Sequence, residues 1–233
     1  MLRNLIFNTF FFTGIIFISI IFLPSLILPQ GVVIFGGKLM GWWSSFCLKV
    51  IMLTKIELIG KENIIKDEKF FIASSHQSMF ETFFLQTIFN SPVFILKREL
   101  LRIPIFGWYL RKIGSISIKR NKVTKKNLDF FTDIHKLIKN SSRPLIIFPQ
   151  GTRVNPDERP PFKKGAGRMY EELKISCQPI AINSGYVWPK TGIKKLNKKI
   201  TISILPAFNS RLDKNEFVKS LEEKIYSELD RIN

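Results

Sequence analysis

The chain has 233 residues, room for one sizeable domain plus an anchor, and its 36 Lys+Arg against 18 Asp+Glu give a formal net charge of +18. So large a surplus suits an anionic partner: nucleic acid, acidic lipid or a phosphorylated substrate. Two histidines and two cysteines far apart, Cys47 and Cys177, form neither a disulfide framework nor a zinc pattern, so no metal site is expected.

The chain opens on apolar sequence. From Leu5 to Leu28 no residue is charged and most are Ile, Leu or Phe. That is long enough to cross a hydrocarbon core, which takes roughly 20 residues. A secretory signal would have an apolar region about half as long, ending in a small-residue cleavage site. Leu28-Pro29-Gln30-Gly31 follows instead, which favours a retained membrane segment. A second apolar stretch runs from Val32 to Leu53, interrupted by Lys38 and Lys49, with Trp42 and Trp43 placed as an interfacial belt would use them. The short break at Pro29-Gln30-Gly31 predicts a helical hairpin that either spans the membrane or lies within one leaflet. The competing account of the second stretch is a core helix of the domain that follows. Residues 1–54 are therefore expected to form a membrane-associated hairpin and 55–233 a separate catalytic unit.

Beyond Lys55 short apolar runs alternate with longer helical patterns, which predicts an α/β fold: a mixed sheet flanked by helices. The candidate strands are Ile56–Ile59, Phe70–Ala73, Val93–Leu96, Ser115–Ile118, Pro144–Phe148, Pro179–Ile182 and Ile200–Leu205. A helix is predicted between Lys122 and Lys139 from the spacing of Val123, Phe130, Phe131, Ile134, Leu137 and Ile138. His135 lies on that pattern, away from any motif, and reads as structural. A closing helix runs from about Asp213 to Arg231, with Phe217, Leu221, Ile225 and Leu229 as a core-facing stripe.

Two strand ends carry chemistry. Phe70-Phe71-Ile72-Ala73 leads into Ser74-Ser75-His76-Gln77-Ser78-Met79-Phe80-Glu81-Thr82. Residues five apart lie on different helix faces, so His76 and Glu81 meet only if the histidine sits in the turn and the glutamate in the first helical turn. Glu81 would then accept the proton of one ring nitrogen and leave the other as a base. A satisfied structural histidine near a helix N-terminus is the competing account. Farther on, Pro144 to Phe148 runs into Pro149-Gln150-Gly151-Thr152-Arg153. There glycine admits close approach of backbone amides, threonine offers a hydroxyl, and arginine offers a fork for phosphate oxygens. An ordinary strand-to-loop turn weighs equally. Lys97-Arg98 and Lys119-Arg120 end two further strands, and a proline- and charge-rich loop covers Val154 to Gly165.

In order, these blocks resemble the glycerolipid acyltransferase family of phospholipid synthesis. That family's first block, a histidine and an aspartate separated by four residues, is matched by His76 to Glu81, with glutamate for aspartate. Its second, a glycine, an apolar run and an arginine, is matched by Gly114 to Arg120, with Ser117 where an aromatic is usual. Its third, Phe-Pro-Glu-Gly-Thr-Arg, is matched by Phe148 to Arg153 with Gln150 for glutamate, and its proline-containing fourth by Gln178 to Ile182. The resemblance covers about Lys55 to Ala207. It implies transfer of a fatty acyl group from an acyl-coenzyme A or acyl carrier protein thioester to the hydroxyl of 1-acyl-glycerol 3-phosphate, at an inner membrane with the catalytic part facing the cytoplasm. In that scheme His76 is the base, Glu81 orients it, and Arg153, Arg120 and Lys97, with Gln150, Gly151 and Thr152, hold the phosphate. No cofactor is implied, and anionic lipid rather than nucleic acid is the expected surface. Other acceptors (a lyso-aminolipid, glycerol 3-phosphate) and a non-enzymatic basic lipid-binding module are the alternatives. A serine hydrolase is disfavoured by the lack of a Gly-x-Ser-x-Gly elbow.

Overall fold

The computed structural model of the chain describes residues 1–118, 125–209 and 212–233. Helix α1 spans Leu2–Ile21 and α2 spans Gln30–Ile51. The break between them comes earlier than the Pro29-Gln30-Gly31 expected from sequence. Pro24 cannot sit inside an α-helix without removing a hydrogen bond and clashing with the preceding turn. The apolar run therefore leaves the α-helix at Phe22 and tightens into a 3₁₀ turn over Leu23–Leu26. Pro29 caps α2 from outside, and Gln30 and Gly31 belong to its first turn.

A seven-stranded sheet follows, in the order β1-β7-β6-β2-β5-β3-β4. Its strands are β1 (Lys55–Ile59), β2 (Phe70–Ser74), β3 (Val93–Lys97), β4 (Ile116–Ile118), β5 (Leu145–Ile147), β6 (Ser176–Ile182) and β7 (Lys199–Ile204). Each corresponds to a predicted strand. Neighbours are parallel except β6 and β7, which makes the sheet mixed. The helices are α3 (Phe80–Ile88), α4 (Phe106–Lys112), α5 (Lys125–Asn140), α6 (Gly165–Leu173) and α7 (Lys214–Ile232). Asp213 caps α7, accepting from the backbone N–H of Asn215 at 2.7 Å. His135 faces solvent on α5.

Side chains alternate along each strand, so the sheet sorts its residues into two layers. Phe71, Ala73, Leu145, Ile147, Cys177 and Ala181 pack beneath α5, α6 and α7, where the stripe Phe217, Leu221, Ile225 and Leu229 is buried. Ile72, Ile146, Ile180 and Ile182 face the other way, toward α3 and the inner side of the N-terminal helices, which contribute Phe7, Phe11, Leu48 and Met52. Each large side chain so buried contributes roughly 1.5–3 kcal/mol. The core account of α2 thus holds for one of its sides. One side closes the sheet, and the other leaves Phe35, Trp42, Phe46 and Val50 exposed. Both helices are long and apolar enough to cross a bilayer.

The helices fit closely because small residues mark their crossings. A side chain at Gly14 would lie 2.2 Å from the Trp43 indole, whose Nε1 donates to the Phe11 carbonyl at 3.2 Å. A side chain at Gly41 would lie 2.5 Å from the Phe83 carbonyl oxygen of α3. At its N-terminal end α1 is fastened to the loop before β7. Asn4 Nδ2 donates to the Lys194 carbonyl at 3.0 Å, and Lys194 Nζ donates to Asn8 Oδ1 at 2.7 Å while sitting 4.7 Å above the Phe7 ring. Near its C-terminal end, the Tyr109 hydroxyl of α4 donates to the Ser19 carbonyl at 2.6 Å.

Candidate active site

β2, β5 and β3 are adjacent in the sheet and parallel, so their C-terminal ends open on one edge. In open α/β sheets ligands bind outside such ends. β2 releases the chain into the turn that carries His76, β5 into Phe148–Arg153, and β3 ends on Lys97.

Glu81 lies in the first turn of α3 and is wholly buried. Its carboxylate reaches back to the turn before the helix, as acidic residues in a first turn do. It accepts from the backbone N–H of Ser78 at 2.9 Å and of Gln77 at 3.3 Å. The Ser184 hydroxyl, from the 3₁₀ turn after β6, donates to Oε1. Oε2 is left facing His76 Nδ1 at 3.2 Å. A buried carboxylate is tolerated only when its oxygens are satisfied in this way. With Nδ1 directed at the carboxylate, Nε2 is the ring nitrogen available to a substrate proton.

The rest of His76 is fixed from β5. Its ring stacks on Phe148, centroids 3.9 Å apart and planes at 17°. Its backbone N–H donates to Gln150 Oε1 at 2.7 Å, and its carbonyl accepts from Val154 N–H at 2.9 Å. The side chain keeps 15% exposure, enough to meet a ligand. Gln150 therefore stands elsewhere than the phosphate-binding expectation put it. It is 2% exposed, engaged to the His76 backbone, and its Nε2 reaches the Tyr226 hydroxyl at 3.5 Å. That hydroxyl donates in turn to the Pro160 carbonyl at 2.5 Å, and burial raises its pKa. A neutral amide accepts from His76 and donates toward Tyr226 without burying a charge. Gly151 adopts φ +76°, a left-handed conformation that favours glycine. Its N–H closes a turn onto the Phe148 carbonyl at 2.8 Å instead of pointing at a ligand.

A cavity of ≈ 820 Å³ opens beside His76. Lys97, Gly151, Thr152 and Arg153 line it, as do Lys163 and Arg168, which the sequence reading did not single out. Arg120 lies outside the described residues. Away from the cations the walls turn apolar: Phe83 of α3, Phe94 and Leu96 of β3, Ile15, Ser19 and Phe22 near the end of α1, and Val33, Gly36, Gly37 and Met40 of α2. The cavity thus joins a buried imidazole–carboxylate pair, a group of four cations and an apolar channel that reaches the N-terminal helices. Such a site can take a proton from a hydroxyl, hold a phosphate and sequester an alkyl chain.

Comparison with known proteins identifies the family. Residues 55–183 match the family model described as Acyltransferase. The 1-acyl-sn-glycerol-3-phosphate acyltransferase of Pseudomonas aeruginosa is 33% identical over 188 residues, covering 77% of this chain and 72% of that protein. The enzyme of the same name from Saccharomyces cerevisiae is 28% identical over 206 residues, covering 83% and 67%. The crystal structure of the 1-acyl-sn-glycerophosphate acyltransferase PlsC of Thermotoga maritima superposes with a TM-score of 0.79 at 22% identity, over 99% of this chain and 96% of that one. The four motif blocks, the mixed sheet behind them and these matches converge: the chain belongs to the acyltransferase family and is an enzyme.

Proposed function

We propose that the protein moves a fatty acyl group from an acyl thioester to the free hydroxyl of 1-acyl-sn-glycerol 3-phosphate, forming phosphatidic acid. The observation that carries this reading is the His76–Glu81 pair at 3.2 Å, opening on a cavity with cations at one end and apolar walls at the other. The names borne by the relatives from P. aeruginosa and S. cerevisiae support the acceptor.

In the reaction, Nε2 of His76 takes the acceptor's hydroxyl proton as the oxygen attacks the thioester carbonyl carbon. A new C–O bond forms, the tetrahedral intermediate collapses, the C–S bond breaks, and the imidazolium returns the proton to the leaving sulfur. Glu81 holds the ring and stabilises its charge. Positioned proton transfer of this kind is worth about 10²–10⁴-fold in rate. Arg153, Lys97, Lys163 and Arg168 hold the phosphate, with the Thr152 hydroxyl beside them. Arginine offers paired N–H donors and lysine a point charge. The thioester, from coenzyme A or acyl carrier protein, is a substrate, so the scheme uses no cofactor.

The N-terminal helices bring this site to its lipid. A hairpin that crossed a bilayer would carry its turn about 30 Å from the domain. Here both ends of α1 are tied to the globular part, at Lys194 and at Tyr109, and Gln30 Nε2 at the start of α2 donates to the Lys112 carbonyl at 3.0 Å. This favours a hairpin lying in one leaflet of the inner membrane, outer face in lipid, with the sheet in the cytoplasm. Arg153→Ala tests the phosphate assignment. We expect the KM for the acceptor to rise about tenfold or more, the loss of one charged hydrogen bond being worth about 1.5–3 kcal/mol. An effect confined to the thioester would assign Arg153 to the donor instead.

A further inference from the structure

We propose that the segment Leu100–Trp108, between β3 and β4, is a second lipid-binding surface that enters the same leaflet as the α1–α2 hairpin. The acceptor would then reach the cavity from the membrane plane between the two. The inference rests on the reading of the hairpin as a membrane element.

Five observations support it. Leu100, Ile103, Ile105, Phe106 and Trp108 are all exposed, from 37% for Leu100 to 48% for Trp108. Large apolar side chains gathered this densely mark an interaction surface, unlike the single exposed hydrophobic residues common on any protein. The backbone is also held against its preference. Ile105 has φ +62°, a region that a β-branched residue rarely enters and that concentrates at functional sites.

The occupant follows from position and charge. α4 joins the turn end of the hairpin through Tyr109 to Ser19 at 2.6 Å and Gln30 to Lys112 at 3.0 Å, so the two apolar surfaces adjoin. Arg98, Arg111 and Lys112 flank the segment and Arg102 lies within it, against a single acid, Glu99. Apolar side chains bordered by cations match an anionic leaflet, tails within and headgroups at the rim. Leu100 and Phe106 also wall the cavity, opposite Ser19 and Phe22 of the hairpin, so the space between the two surfaces leads to His76.

The test uses the full-length protein. Cys47 and Cys177 are buried, so an environment-sensitive fluorophore can be placed at Ile103→Cys and, separately, at Phe17→Cys on the exposed side of α1. Vesicles of phosphatidylethanolamine and phosphatidylglycerol with nitroxide-labelled tails are expected to quench both positions. Quenching at position 17 with position 103 left in water would overturn the inference and leave the hairpin reading standing. Quenching at neither would remove both. A shift at position 103 that needs protein concentration but not vesicles would assign the surface to a second copy of the chain. As an independent arm, Ile103→Glu/Trp108→Glu should lower transfer to vesicle-borne acceptor about tenfold, the loss of one well-buried apolar side chain being enough. Transfer to acceptor in detergent micelles should be unchanged. Equal rates of this variant and the wild type on vesicles would contradict the proposal.

Discussion

Glu81 is one methylene longer than the aspartate usual in its family, and the turn around it accommodates that length. Its carboxylate is met by two backbone N–H groups, by Ser184 and by His76. Ser184 engages Oε1 and so sets which oxygen turns toward the ring. We expect Ser184→Ala to lower kcat about fivefold, the effect of losing one hydrogen bond of about 1 kcal/mol, with KM for both substrates unchanged and with Ser184→Thr restoring the rate. A KM effect, or failure of threonine to rescue, would make the serine a packing residue. His76, Glu81 and Arg153 stand out in the sequence because each lies a few residues past an apolar strand, and Lys97 because it ends one. Ser184 was not, since it lies 103 positions from its partner and only the β2–β6 pairing brings the two together. Gln150 sits in the sequence beside Gly151, Thr152 and Arg153, which line the cavity, and adjacency alone suggests that it does the same. That its side chain turns inward depends on the His76 N–H, which no linear pattern reveals.

At the scale of elements, strands were easier to read than helices. Short runs that are apolar throughout, as in Phe70–Ala73 and Leu145–Ile147, or that alternate with polar residues, as in Lys199–Ile204, mark the strands, and each of the seven stands where such a run was expected. α4 has seven residues, too few for its period to show. α6 begins Gly165-Ala166-Gly167, a start that propensity alone argues against. Its second glycine is needed because a side chain there would meet the Lys214 carbonyl oxygen of α7 at 2.6 Å. The same logic governs the hairpin. Gly41 lets α2 lie against α3, whose first turn carries Glu81. Gly41→Leu should therefore separate the two helices and cost about 1–3 kcal/mol or more. Thermal unfolding would register it as a Tm lowered by several degrees. An unchanged Tm would mean that the hairpin is not packed on the sheet as described.

At the scale of the molecule, the chain places the His76–Glu81 pair, a group of cations and an apolar channel along one cavity, and walls the channel with the two apolar N-terminal helices. Fold class and hairpin were legible in hydropathy alone. That α1 and α2 also complete the core was not, because an apolar helix reads alike whether protein or lipid covers it. The net charge of +18 suits an anionic surface and anionic substrates together. The central claim is that this cavity acylates a phosphate-bearing lysolipid with His76 as base. It is tested most directly by incubating purified, detergent-solubilised wild type and His76→Ala with labelled acyl-coenzyme A and labelled acyl carrier protein in parallel. Each donor is offered 1-acyl-glycerol 3-phosphate and a phosphate-free lysolipid. We predict phosphatidic acid from the wild type alone, with the phosphate-bearing acceptor, at a rate at least about 10²-fold above the variant. Comparable turnover by His76→Ala, or equal use of the phosphate-free acceptor, would contradict it.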